Sequence, residues 1–486
     1  MSEHTVRVRF APSPTGFMHL GNIRTALMNY LFAKKKDGTF ILRIEDTDPE
    51  RNFDPQAGHI LADLDWLGIT YSEGPEKPGD LAPYFQSQRM DLYEKKLKEL
   101  IDKKSVYRCF CTKEELDKKR ARQIAMKKAP RYDRTCLNLS DEELKKKLDD
   151  KKPFIWRIKL DHTSTVSIED IAHGTMSFKL KNFSDFPITR QNGTYTFMFA
   201  NFVDDMTMKI THVIRGEDHL TNTAGQAALF KEFGSPLPTF WHMPILCNIE
   251  GKKLSKRDFG FALKDLKKAG YLPEAICNYL ATLGASFKDE IMSLNELTQK
   301  IDFENTHAKG QIKYDVEKLR WINKKWIMQY NPAKLTELCK PYLTATFSQA
   351  EQIDNTTLTT LIQTIKTDLT TVTDVSEALK FYFNAPEITK EKIATLGDEQ
   401  EVTKIINIIV NNLDHLENSE HFLQTTKQAT KENDIAIKML FSTLRFGLMG
   451  TTKGPGIKEL LEMLGVQESK KRLVNLQNQV HIIKTS

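Results

Sequence analysis

The first residues that could do chemistry are His19-Leu20-Gly21-Asn22, set where an apolar strand-like stretch, Val6 to Phe10, hands over to a helical pattern. A helix N-terminus presents free backbone N–H groups and a partial positive charge, so it can receive an anion. Gly21 lacks a Cβ and lets a nucleotide lie close to the backbone. His19 can donate a hydrogen bond to a phosphate oxygen as charge builds in a transition state. Much later comes Lys253-Leu254-Ser255-Lys256-Arg257, after Pro244-Ile245-Leu246 and a Glu250-Gly251 turn. Lys253 and Lys256 on one short loop can both reach a triphosphate. Each motif alone is also readable as a helix start with a surface histidine, or as a solvated basic loop.

A third group is Cys109-Phe110-Cys111 with Cys136, half of the six cysteines in the chain. Closely spaced thiolates in a reducing compartment suggest structural Zn²⁺. Three reduced, partly buried cysteines are the alternative.

The elements around these residues define the frame. Val6-Arg7-Val8-Arg9-Phe10 reads as a strand, Ala11 to Gly16 as a turn, about Asn22 to Lys36 as a helix and Phe40 to Ile44 as a second strand. Strand, tight loop, helix, strand is a right-handed crossover with a parallel sheet. Residues 89–152 are charged and helical in pattern, and 154–202 look like strands and turns. Residues 204–245 alternate between helix and strand, and most of the chain after Lys256 is helical. The threonine-rich run from Thr344 to Thr373 stays amphipathic, which predicts ordered helix surface. No internal repeat is seen.

The length, 486 residues, implies about three to five domains. Hydrophobic residues at 40% and charged ones at 28% describe an ordinary globular protein. No apolar run approaches the roughly 18 residues of a membrane span, and no secretory pattern opens the chain. So few cysteines exclude a disulfide scaffold, and a cytoplasmic location is expected. A net charge of +6 permits a nucleic-acid partner without establishing one.

Taken together, the two phosphate motifs resemble the signature of class I aminoacyl-tRNA synthetases. Arg9-Phe10-Ala11-Pro12-Ser13-Pro14-Thr15-Gly16, His19-Leu20-Gly21 and Arg43-Ile44-Glu45-Asp46-Thr47-Asp48 are similar to the opening of the glutamyl/glutaminyl subfamily. Tyr84 to Arg89 and Val213-Ile214-Arg215-Gly216-Glu217-Asp218 fit it too. Leu444 to Gly450 with Gly454-Pro455-Gly456 resembles the helical anticodon-binding region of bacterial-type glutamyl-tRNA synthetases. Glutaminyl enzymes usually end in β-barrels, and a short tRNA-independent paralogue lacks this region.

The resemblance implies an α/β, Rossmann-type catalytic domain over 1–97 and 200–250, with an acceptor-stem-binding insert over 98–199. A lysine loop and helical stem-contact domain would cover 251–330, and a helical anticodon-binding region 331–486. It implies ligation of L-glutamate to tRNA(Glu) with ATP and Mg²⁺ by a monomer that needs no membrane. His19, Lys253 and Lys256 would be catalytic, and Gly21, Asn22, Asp218 and Leu246 would join them around ATP. Arg9, Ser13, Glu45, Asn201 and Arg215 would hold glutamate, although Arg9 and Arg215 are also readable as structural ion-pair residues. Phe197 stands where many members have a pocket tyrosine, and either lines the pocket or packs in the core. Some members bind zinc at the cysteines. A histidine that some relatives carry is Asn138 here, and Tyr132 occupies the ligand position of the short paralogue. The competing reading is a noncatalytic tRNA-binding protein on a synthetase scaffold, which would tolerate loss of His19, Gly21 or Lys256.

Overall fold

A computed structural model of the chain describes residues 5–48, 50, 52–255, 257–283, 285, 287–303 and 310–485. It divides into two compact units, one of residues 1–268 and 273–319, the other of 269–272 and 320–486.

The first unit opens with strand β1 (Arg7–Phe10), helix α1 (Leu20–Lys35) and strand β2 (Thr39–Leu42). β1 and β2 pair in parallel, with Val8 opposite Phe40, which the apolar spacing predicted. Helix α1 starts two residues earlier than expected, because His19 caps it. Ile23, Leu27 and Leu31 are fully buried on one face of α1.

Next come α2 (Gly58–Trp66), α3 (Met90–Asp102), β3 (Val106–Cys109), α4 (Lys113–Ala125) and α5 (Asp141–Asp149). Thr112 with Glu115, and Ser140 with Glu143, form reciprocal capping boxes at the starts of α4 and α5. Neither helix buries a residue, so these local bonds carry much of their stability. β4 (Ile155–Ile158) runs antiparallel to β3, with Cys109 opposite Ile155.

β5 (Thr165–Asp170), β6 (Gly174–Lys179), α6 (Phe197–Thr207), β7 (His212–Gly216), α7 (Leu220–Glu232) and β8 (Thr239–Met243) complete the central layer. The strand order is β6-β5-β8-β7, with β8 parallel to both β5 and β7. The Thr211 N–H donates to the Arg7 carbonyl at 3.0 Å, which sets β1 beside the start of β7. The resulting frame is α/β with a parallel core, as expected. Phe197 to Phe202 corrects the expectation of strands and turns, since it is the first half of α6. Its aromatic run favours strand locally. The helix wins because Phe199, Phe202 and Val203 recur at helical spacing and bury against Tyr93, Leu229 and Phe230.

Beyond the sheet, β9 (Leu246–Cys247) pairs in parallel with the Ile312–Lys313 strand.

Unit two is helical among the described residues. Its threonine-rich stretch includes the helix Asn355–Ile365, where the hydroxyls of Thr359, Thr360 and Thr364 donate to carbonyls one turn back. Those bonds satisfy side chains that would otherwise compete with the helix. The ordered-helix expectation holds there, although short 3₁₀ turns interrupt the run. The Leu444 to Gly456 motif has a physical role: Arg445 ties down its loop through the carbonyls of Pro455 (2.9 Å) and Thr452 (3.3 Å).

Candidate active site

The ring of His19 closes the N-terminus of α1. Its Nδ1 accepts the backbone N–H groups of Gly21 (3.1 Å) and Asn22 (3.3 Å), while Asn22 Oδ1 accepts the His19 N–H (3.2 Å). Two of the N–H groups expected to meet a phosphate are therefore already taken by the histidine. Gly21 acts differently from expectation too. A Cβ there would lie 3.0 Å from His19 Cε1, so the glycine first of all makes room for the ring. With Nδ1 accepting, the proton of the neutral ring sits on Nε2. Burial, then the nearby Lys253 charge, lower the pKa of His19 and keep it neutral. The ring stacks on Phe261, with centroids 4.9 Å apart.

Lys253 follows β9, whose Leu246 carbonyl accepts the Leu254 N–H. Its Nζ lies 3.1 Å from Asp218 Oδ2, and both side chains are about half exposed or more. Burial pushes the Asp218 carboxyl up, but Lys253 and His219 pull it below its usual range. Lys256, the other expected loop lysine, lies outside the described residues.

The deeper wall is built on charge. Arg9 on β1 reaches Asp205 with Nε and Nη2, at 3.1 and 3.2 Å. Arg43 joins the same acid at 2.7 Å and Glu45 at 3.1 Å. Burial opposes ionisation of Asp205, but Arg9 and Arg43 hold its carboxyl below the usual range. Burial pushes Glu45 the other way, against Arg43 and the amide of Asn201, which donates to it at 2.6 Å.

Arg215, at the end of β7, is different. Its Nη2 donates to Thr223 Oγ1 (2.7 Å) and Gln226 Oε1 (2.8 Å). Nε and Nη1 are buried without a hydrogen-bond partner, and among the described residues no carboxylate pairs with the side chain. Burial, then the like charge of Arg9, pull its guanidinium down to about 9.

The described nucleotide and amino-acid residues singled out in the sequence meet around one cavity of about 890 Å³. Arg9, Ser13, His19, Gly21, Asn22, Glu45, Phe197, Asn201, Arg215, Asp218, Leu246 and Lys253 all line it. Every expected nucleotide and amino-acid residue that the structure describes is thus brought together. Phe197 belongs to the lining, with its ring 5.4 Å from that of His219.

The cysteines form a second centre, at the end of β3. The Sγ atoms of Cys109, Cys111 and Cys136 lie within 4.8 Å of one another. The Tyr132 hydroxyl sits 3.3 Å from Cys109 Sγ and 3.7 Å from Cys111 Sγ, and accepts the Cys136 N–H at 3.0 Å. Tetrahedral zinc with Zn–S bonds of about 2.3 Å separates its sulfurs by roughly 3.8 Å. Cys111 and Cys136 are 3.6 Å apart, so these two sulfurs fit that ion, and Cys109 Sγ lies within 4.8 Å of both.

Sequence reasoning passed over Asp204 and Asp205, which anchor Arg9, Arg43 and Arg89. An adjacent acid pair inside an otherwise apolar helix was the available signal. Asp170, Thr223 and His242 were also missed, and no motif links them.

The comparisons agree with this geometry. The family described as "tRNA synthetases class I (E and Q), catalytic domain" matches residues 5–321, and "Anticodon binding domain" matches 334–476. The chain belongs to the class I tRNA synthetases of the E and Q group. Its similarity then narrows to one kind of member. It is 37% identical to a glutamate–tRNA ligase of Finegoldia magna, over 97% of this chain and 99% of that one. It is 35% identical to the glutamate–tRNA ligase of Bacillus subtilis, over 97% and 99%. A glutamate tRNA ligase from Elizabethkingia meningosepticum, solved in complex with its amino acid, superposes with a TM-score of 0.86 at 32% identity, over 98% of this chain and 100% of that one. Among the described residues no helix is long and apolar enough to cross a membrane.

Proposed function

We propose that the chain activates L-glutamate with ATP and transfers it to the 3′ end of tRNA(Glu). The observation that carries the glutamate assignment is Arg215, a buried guanidinium with unpartnered nitrogens lining the same cavity as His19 and Lys253. A buried unpaired charge is costly, and a substrate carboxylate would relieve it. Arg9 and Arg215 frame the side-chain carboxylate, with Ser13, Asn201 and Phe197 around it, and Glu45 meets the α-ammonium.

The glutamate α-carboxylate attacks the α-phosphate of ATP and displaces pyrophosphate; the terminal ribose hydroxyl of the tRNA then attacks the acyl-adenylate. No covalent intermediate with the protein is needed. His19 donates through Nε2, and Lys253 and Lys256 meet the charge growing on the phosphates. Gly21, Asn22, Leu246 and Asp218 shape the nucleotide site, and Mg²⁺ accompanies ATP.

Catalysis falls to 1–97 and 200–250, acceptor-stem contact to 98–199, stem contact to 251–330 and anticodon binding to 331–486. Cys109, Cys111, Cys136 and Tyr132 would hold one Zn²⁺, whose role is to fix the loops that flank α4. The enzyme acts as a cytoplasmic monomer. The noncatalytic reading is disfavoured because His19 and Gly21 keep their interlocked geometry and Lys256 is retained in the sequence.

The test is ATP–pyrophosphate exchange with and without tRNA(Glu). Exchange that depends on glutamate and on the tRNA supports the assignment; exchange with glutamine and none with glutamate overturns it.

A further inference from the structure

Arg215 stands directly opposite His242 in the parallel β7–β8 register. Between them runs a buried chain of hydrogen bonds that the reaction itself does not use. Asp170, the last residue of β5, accepts His242 Nδ1 on Oδ2 at 2.7 Å and the His242 backbone N–H on the same oxygen at 3.0 Å. His242 Nε2 lies 2.8 Å from Thr223 Oγ1, which accepts from Arg215 Nη2 at 2.7 Å. His242 and Thr223 are fully buried and Asp170 is 4% exposed.

The donors gathered on Asp170 give these bonds a direction. Asp170 also accepts the N–H groups of Ala172 and His173 and the His173 ring, all on Oδ1, at 2.9 to 3.0 Å. A carboxylate collecting so many donors stays ionised, so His242 must carry its proton on Nδ1 to donate to it. Nε2 is then an acceptor and takes the hydroxyl hydrogen of Thr223 at 2.8 Å, a closer acceptor than the His219 carbonyl, which lies 3.2 Å from the same hydroxyl. That turns the lone pairs of Thr223 toward Arg215. The sequence of dipoles runs one way, from the Arg215 cation to the Asp170 anion. Phe240 supports the middle of the chain, its ring stacked on His242 with centroids 5.6 Å apart.

We propose that Asp170 and His242 are positioning residues for substrate selection: acting through Thr223, they fix the Arg215 guanidinium so that its unpartnered Nε and Nη1 are held for the carboxylate of the amino-acid substrate. The arrangement solves a specific difficulty. A carboxylate touching Arg215 directly would neutralise it and compete with the substrate. A carboxylate kept two side chains away lends its field through oriented dipoles and leaves the recognition face open. The proposal rests on the reading of Arg215 as the glutamate receptor.

Its experiment uses the full chain and tRNA(Glu) in aminoacylation, with KM for glutamate and for ATP measured separately. Thr223→Val removes the hydroxyl and keeps the shape; Thr223→Ser keeps the hydroxyl; Asp170→Asn removes the distant charge; Arg215→Gln tests the underlying reading. Thr223→Val and Asp170→Asn are expected to raise KM for glutamate roughly tenfold and to narrow the preference over glutamine, with KM for ATP unmoved. Thr223→Ser should restore the glutamate KM toward wild type. If KM for glutamate, KM for ATP and Tm all move together, the chain only supports the fold and the proposal is overturned. It is equally overturned if Arg215→Gln raises the glutamate KM while Thr223→Val and Asp170→Asn do not. If Arg215→Gln itself leaves glutamate use unchanged, the receptor reading fails, and the positioning proposal fails with it.

Discussion

Arg9 and Asp205 form a buried, two-pronged pair, with Nε–Oδ1 at 3.1 Å and Nη2–Oδ2 at 3.2 Å. Arg215 has no such partner among the described residues. Two arginines of one cavity thus have different electrostatic standing: one is paired with an acid of the protein, and the other keeps two buried nitrogens without a partner.

The difference predicts unequal effects. Arg215→Gln should reduce kcat/KM for glutamate strongly and narrow its ratio to glutamine, by a few kcal/mol in transition-state terms, on the order of a lost charged hydrogen bond. A neutral glutamine side chain leaves Arg215 unmatched in the wild type, and that penalty on the wrong substrate disappears in the variant. Arg9→Gln should lose less discrimination and cost more stability, about 3 kcal/mol, because it strips one of two cations from a buried acid. Thermal unfolding and kcat/KM for both amino acids check the pair. Equal loss of discrimination in the two variants would contradict the asymmetry.

The cysteine centre predicts about one zinc per chain after purification without chelators. Cys136→Ser should lower the zinc content and loosen the segment around α4, while glutamate-dependent exchange at the cavity survives. Elemental analysis finding no zinc in the wild type would leave three reduced thiols and a tyrosine as the whole explanation.

Much of the site was legible because its chemistry comes in short runs. His19 to Asn22 and Lys253 to Arg257 each carry several functional atoms within one turn or loop, and a motif of adjacent residues survives translation into sequence. The strand–helix–strand opening was legible for a similar reason: Val8, Phe10, Ile23 and Leu27 repeat at strand and helix periods. What stayed hidden was assembled by the fold. Asp170, Thr223 and His242 come from β5, α7 and β8, and each looks unremarkable among its chain neighbours. The helix at Phe197 was misread because local aromatic preference pointed to strand while packing against Tyr93 and Phe230 decided for helix. The capping of α1 by its own histidine could not be read from four letters, since it depends on the ring's rotamer.

Buried neutral histidines predict how stability responds to acid. Burial lowers the pKa of His19, His212 and His242, and burial with the charge of Arg215 lowers His219 to about 4. In the unfolded chain each returns to about 6.5. The unfolded state therefore binds more protons in this range, so stability is full above pH 6.5 and declines as pH falls through the folded values. Glu45, whose carboxyl burial pushes up, works in the opposite direction. The depressed Asp170 carboxyl, at about 2, adds its own loss only below its unfolded value of 3.8. Tm should fall between pH 7 and pH 5 before most carboxylates titrate, and His219→Gln should flatten that slope. A Tm independent of pH over this range in the wild type would show that these rings are not held neutral.

The interlock of Gly21 with His19 supports a sharper prediction, because two effects on one residue point in opposite directions. Alanine is the better helix former by about 1 kcal/mol, so Gly21→Ala in the first turn of α1 should hold or raise the stability. Its Cβ, however, would fall 3.0 Å from His19 Cε1 and 3.1 Å from Nδ1, tighter than ordinary contact. The ring must yield, and Nδ1 then loses its aim at the Gly21 and Asn22 N–H groups. Nε2 turns with it, away from the position where it would meet a phosphate. Preorganised donors of this kind are worth roughly 10²–10³ in rate, so a partial displacement should cost on the order of tenfold in kcat. If the glycine acts only through the ring, the double variant Gly21→Ala/His19→Ala should be no slower than His19→Ala alone. Additive losses would mean that the missing Cβ makes room for the nucleotide itself, independently of the histidine. Stopped-flow measurement of adenylate formation, with Tm recorded for the same four proteins, separates these outcomes. The expected pattern is slower adenylate formation at an undiminished Tm for Gly21→Ala, and no further loss of rate when His19 is already gone.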